Sequence, residues 1–156
     1  MNRTPMTKAG FEKVKAELNR LKSVDRPAVI KAIAEARAHG DLSENAEYHA
    51  AREQQGWIEG RIGELSYLVN HAEIVDIGKL TGSIKFGATV TLEDEDSGKQ
   101  VTYQIVSQAE ADMQNGLLNM ESPLARALIG HDKGDDVEVN TPGGIRNYAI
   151  LKVEFK

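Results

Sequence analysis

No cysteine occurs anywhere in the 156-residue chain. That excludes disulfides, thiolate catalysis and Cys-ligated zinc. Aromatics are scarce, at three Phe, four Tyr and one Trp, too few for a large aromatic-lined pocket. No stretch approaches the roughly 20 apolar residues that a membrane span requires, and the N-terminal MNRTPMTKAG lacks the apolar core of a signal peptide. The expectation is a cytoplasmic protein with no membrane partner. A basic excess is missing as well. Residues 1–75 carry 11 Lys+Arg against 11 Asp+Glu, and residues 76–156 carry 8 against 13. A domain that grips phosphates by itself is normally basic, so any nucleic-acid target must be held mostly by another molecule.

What is present divides into two parts, residues 1–75 and 76–156, each the size of a small domain. The first part reads as helix. Thr7 is a cap candidate for a helix from Lys8 to Lys22, on which Phe11, Val14, Leu18 and Leu21 step by 3, 4 and 3, the seam of a coiled coil. The same phase would continue to Asp25 and Ala28, but the apolar residues are Val29, Ile30 and Ile33, and Pro27 sits at the slip. A break near Ser23–Arg26 is expected, with a second helix from Pro27 to about Ala38. Gly40 ends it. Ser43 is a cap candidate for a return helix from Glu44 to about His71, whose seam runs Tyr48, Ala51, Gln55, Ile58, Ile62, Leu65, Val69 and Ala72. So short a turn makes the two helices antiparallel. The return helix is roughly 40 Å long at 1.5 Å per residue, so its far end should protrude. Alanines crowd toward that end (Ala28, Ala32, Ala34, Ala36, Ala38, Ala46, Ala50 and Ala51). They favour helix and let two backbones approach closely, which makes a slender finger. Trp57 and Tyr48 read as packing residues of the hairpin.

From about Ile74 the periodicity changes. ATVTLEDEDSGKQVTYQIVS alternates around an Asp-Ser-Gly turn, and DDVEVNTPGGIRNYAILKVEFK alternates around Pro142-Gly143-Gly144. SPLARALIGHDKG reads as a short helix with Ser122 as cap, Pro123 at the first position and Gly130 past the end. The fold class is therefore α+β: an antiparallel coiled-coil hairpin, then an antiparallel sheet domain with one short helix.

The chemistry concentrates at the turn of the hairpin, residues 39–47. Asp41 and Glu44 lie there, three apart. Solvated loop acids near a helix start are common, and that plain explanation stands beside a functional one. Mg²⁺ prefers six oxygens in a near-octahedral array. Two carboxylates supply a fraction of them, so such a tip binds Mg²⁺ weakly alone. It suits an accessory that completes a metal site owned by another protein, in the two-metal manner of phosphodiester cleavage. Arg37 and Arg52 flank the pair and read either as solvated balancing charges or as phosphate contacts that come close across the two helices. His39 and His49 read as exposed bystanders. No His-Glu-x-x-His zinc motif, phosphate loop or dinucleotide fingerprint is present, and no small-molecule substrate is indicated.

ARAHGDLSENAEYHAAREQQG and SPLARALIGHDKGDDVEVNTPGG resemble the tip and C-terminal signatures of the bacterial Gre family of transcript cleavage factors, and of its less basic type. The resemblance covers essentially the whole chain. It implies a coiled-coil finger followed by a domain similar to FK506-binding proteins. It implies docking on RNA polymerase near the secondary channel through the segment holding Ser122, Pro123, Leu124, Ala125 and Gly130. Asp41 and Glu44 match the catalytic acids that share a second Mg²⁺ with the polymerase. Arg37 and Arg52 match basic tip residues that contact the extruded 3′ end of nascent RNA. The implied protein is no enzyme itself; it stimulates the polymerase to cleave backtracked RNA. A related regulator that binds the channel without cleavage is the alternative within the family. Outside it stand a prolyl isomerase, for which Phe86, Tyr103, Tyr148 and Phe155 are few aromatics and mostly strand residues, and a plain coiled-coil interaction module.

Overall fold

The computed structural model describes residues 3–41 and 44–156, arranged in two compact units. One comprises residues 11–72. The other comprises residues 3–10 together with 73–156. None of the helices among the described residues is long and apolar enough to cross a membrane.

The first unit is the helical hairpin. Helix α1 (Lys8–Arg20) begins where Thr7 Oγ1 accepts from the Gly10 N–H at 3.0 Å, as a capping threonine does. The expected break at Ser23–Arg26 is absent. A π-helical turn at Leu21–Asp25 instead joins α1 directly to α2 (Arg26–Arg37), with helical dihedrals at Arg20, Asp25 and Arg26. The Arg26 N–H reaches back five residues to the Leu21 carbonyl. The physical reason lies in the seam. Buried Val14, Leu21, Val29 and Ala36 are separated by seven, eight and seven residues. A π turn absorbs the one extra residue and returns the stripe to the interface without interrupting the helix. Pro27 follows at the start of α2, where its missing N–H is tolerated.

Helix α3 (Ala46–His71) returns antiparallel, burying Ile58, Ile62 and Leu65 against these residues. Burying each such side chain contributes about 1.5–3 kcal/mol. Two bidentate pairs clasp the helices at the surface. Arg26 donates to Glu59 at 2.7 and 2.8 Å, and Arg61 donates to Glu17 at 2.8 and 3.3 Å. The hydrogen bonds from Arg26 hold the Glu59 carboxyl below the usual range. Along α3, Gly56, Gly60 and Gly63 are exposed, and a methyl group added at any of them would meet nothing among the described residues beyond its neighbours and its own helix backbone. Each interior helical glycine costs about 0.5–1 kcal/mol relative to alanine. Packing within the hairpin therefore gives no reason for them.

The second unit is built on a five-stranded sheet, β3 (Thr89–Asp94), β4 (Gln100–Val106), β5 (Leu117–Asn119), β6 (Asp136–Thr141) and β7 (Gly144–Glu154), in the order β5-β4-β3-β7-β6. Every pair is antiparallel except β4 with β5, which is parallel, so the sheet is mixed. The two expected hairpins are β3–β4 and β6–β7. In the second, Thr141 pairs Gly144, whose φ of +117° suits glycine. Helix α4 (Pro123–Leu128), with Ser122 Oγ accepting from the Ala125 N–H at 3.2 Å, covers one face. Val90, Leu92, Ile105, Ala125, Leu128 and Ile150 form the centre of its core. Asp94 is buried at the end of β3. It accepts from the Asp96 and Ser97 N–H groups and from Arg146, and these donors, Asp96 first, hold its carboxyl below the usual range.

Residues 3–10 join this unit through a short strand β1 (Thr4–Met6), paired with β2 (Ala72–Ile74), and through buried Glu110. Glu110 Oε1 accepts from the Thr7 N–H at 3.1 Å and from the Thr7 hydroxyl, while Oε2 accepts from the Ser107 hydroxyl at 2.8 Å. Gly10 lies against this carboxylate so closely that a Cβ there would collide with Oε1. Gly10→Ala should therefore lower stability by about 1–3 kcal/mol despite its better helix propensity, because a pinned, buried acceptor must move. Urea denaturation of the two chains checks this, with a variant at least as stable as the parent as the contrary result.

Candidate functional site

Turn geometry decides where the two tip acids go. Helix α2 closes with the Ala38 N–H on Ala34 O and the His39 N–H on Ala36 O. Gly40 follows with φ +114°, a conformation other residues rarely adopt. Ser43, the expected cap of the return helix, lies outside the described residues, and the cap is Asn45. Helix α3 starts at Ala46 rather than Glu44 because Asn45 is extended (φ −86°, ψ 97°) and its Oδ1 accepts from the Tyr48 N–H at 3.0 Å. The Nδ2 of the same amide donates to the Ala36 carbonyl of α2 at 2.7 Å. One side chain thus satisfies an open donor of α3 and gives the Ala36 carbonyl of α2 a second donor beside the His39 N–H. A His39–Glu47 contact at 3.2 Å spans the same turn.

Asp41 and Glu44 are both exposed between these two helix ends, with Glu44 immediately before the cap. Arg37, in the last turn of α2, is exposed; so is Arg52, whose Nη1 donates to the Tyr48 hydroxyl at 3.4 Å along its own helix. Tyr48 is half-buried and edges against the His49 ring. Among the described residues no three His, Asp or Glu side chains gather into a metal cage. The donor set at the tip therefore fits Mg²⁺ only as part of a shell completed from elsewhere.

The expected docking segment divides by burial. Pro123 and Gly130 are exposed and Leu124 is partly packed on the core, whereas Ala125 is fully buried and Ser122 serves as the cap of α4. Any contact by this segment falls to its outer residues. Ile129, 37% exposed, belongs with them. Its place between the buried Leu128 and the terminating Gly130 gives it no signal of exposure in the sequence. Trp57 differs from its reading as a packing residue: it is 59% exposed.

The family description "Transcription elongation factor, N-terminal" matches residues 4–74, and "Transcription elongation factor, GreA/GreB, C-term" matches residues 79–155. The chain belongs to the GreA/GreB family of transcription elongation factors. A Transcription elongation factor GreA of Cereibacter sphaeroides is 64% identical over 155 residues, and that of Paracoccus denitrificans is 62% identical, each alignment covering 99% of both chains. Among solved structures, the GreA factor homolog 1 (Gfh1) protein of Thermus thermophilus is similar at 30% identity and a TM-score of 0.46, covering 98% of this chain and 99% of its own. Membership accounts for the two-part order, helical hairpin then sheet, in a single chain.

Asn45→Ala removes both bonds of the amide. The expected cost is about 1–2 kcal/mol. Amide exchange at Tyr48 should speed up while that of the sheet core stays unchanged; equal protection at Tyr48 would show that the amide does not close the turn.

Proposed function

We propose that this GreA/GreB-family chain binds RNA polymerase and stimulates Mg²⁺-dependent cleavage of the 3′ end of backtracked nascent RNA, rescuing arrested complexes in the cytoplasm. The observation that carries this reading is the exposure of Asp41 and Glu44 together at the closed end of the hairpin, where Asn45 bonds both helices. An acid pair at such an end is useless for internal packing and suited to delivery. The finger would enter the secondary channel, with the outer residues of the Ser122–Gly130 segment docking near its entrance.

Asp41 and Glu44 would hold Mg²⁺ jointly with oxygens of the polymerase and the RNA. When bound, that ion supplies activation of the attacking water and neutralises charge on the phosphate. The chain's own contribution is placement. The two carboxylates add negative charge where a cation must be held, and the Asn45 closure limits their motion. Arg37 and Arg52 carry positive charge beside them, the sign needed to hold the extruded RNA phosphates. Hydrolysis itself belongs to the polymerase, so the chain is an accessory rather than an enzyme.

The test is a backtracked elongation complex given Mg²⁺ and either the parent chain or the Asp41→Asn/Glu44→Gln double variant. The parent should shorten the RNA. The variant should bind equally and lose on the order of a hundredfold or more in cleavage rate, the scale at which one positioned electrostatic group acts. Binding by the parent without shortened RNA would instead identify a channel regulator that does not promote cleavage.

A further inference from the structure

Halfway along α3 the hairpin presents an open groove of about 460 Å³ lined by Glu17, Gly56, Trp57, Gly60, Arg61 and Glu64. Its aromatic wall is Trp57, the single tryptophan of the chain, 59% exposed. On the wall of a groove, an exposed tryptophan is the kind of side chain that anchors a partner at an interface. The floor is glycine. Gly56 and Gly60 are one helical turn apart, and among the described residues nothing beyond the adjacent residues and the helix's own backbone stands within 4 Å of a methyl group added to either. The floor therefore admits a close approach from outside and serves no contact inside.

Charge selects the visitor. Arg61 is shared between Glu17, at 2.8 Å, and Glu64, at 3.2 Å, so one cation faces two carboxylates. The surplus negative charge rests on Glu64, whose side chain is 69% exposed. A phosphate backbone is repelled there. A cationic side chain is attracted twice, by the Glu64 carboxylate and by the face of the Trp57 ring.

We infer that this groove docks a basic protein segment of RNA polymerase: an arginine or lysine stacked on Trp57 and paired with Glu64, flanked by small residues lying over Gly56 and Gly60. The inference rests on the polymerase-binding reading above and adds to it a second contact, on the side of the finger and separate from the tip acids.

Full-length parent, Gly60→Gln, Glu64→Lys and Trp57→Ala chains are compared for affinity to RNA polymerase, for thermal midpoint and for sedimentation alone. Gly60→Gln fills the floor while improving helix propensity, so its midpoint should rise while its affinity falls at least tenfold. A purely structural role for this face would move both in the same direction. Glu64→Lys should weaken binding at least tenfold at an unchanged midpoint, and Trp57→Ala should weaken it similarly. Three variants that bind as tightly as the parent would overturn the groove contact and leave polymerase binding standing. A parent that does not bind polymerase would overturn the reading beneath it and the inference with it. A dimer of the parent abolished by Trp57→Ala, with polymerase affinity unchanged, would assign the groove to a second copy instead.

Discussion

At the closed end of the hairpin one carboxamide bonds both helices. Asn45 accepts from the first turn of α3 and donates to the last turn of α2, at 3.0 and 2.7 Å. Helix ends leave backbone groups that must find partners, and near the tip few apolar side chains are available to fasten the helices otherwise. The small residues there bury little area, Ala36 being the buried apolar residue of that stretch. With packing weak, directional hydrogen bonds fix the geometry. Glu44 stands immediately before that closure, and Asp41 follows the end of α2 across it.

Further along, the hairpin changes character. Bulky Leu21, Ile58, Ile62 and Leu65 replace the alanines, and two bidentate Arg–Glu pairs cross the surface. The π turn at Leu21–Asp25 keeps this stripe continuous over the hairpin. A true break would leave the distal helices without a shared seam, and the acids would sit on a loosely connected end. The one-residue insertion is thus part of what makes a thin structure able to carry a fixed chemical group.

Much of this was legible from residue order alone. Burial demands periodicity, so the seam of α3 and the alternation of β3–β4 and β6–β7 announced themselves, as did the capped helix at Ser122. The exposure of Asp41 and Glu44 was legible too, since a turn between long helices cannot lie in a core. Other features depend on tertiary partners that local sequence does not display. GDLSEN offers several residues able to cap, and the contact with Ala36 favours Asn45. Pro27 suggested a break, though the eight-residue step from Leu21 to Val29 is equally the mark of a π turn. Strand β1 is three residues with a proline, and its partner lies some 70 residues away. The parallel β4–β5 pair has no short-range signal. Trp57 falls between seam positions 55 and 58, so periodicity places it outward even though its hydrophobicity suggests the opposite.

On the proposed reading, the tip supplies part of a magnesium shell to a site owned by another protein. The most direct measurement is a Mg²⁺ titration of RNA cleavage in backtracked polymerase complexes, with the chain saturating. The parent should lower the Mg²⁺ concentration for half-maximal cleavage, while an equally bound Asp41→Asn/Glu44→Gln chain leaves it at the value of polymerase alone. Identical shifts by the two chains would show that Asp41 and Glu44 hold no part of that shell.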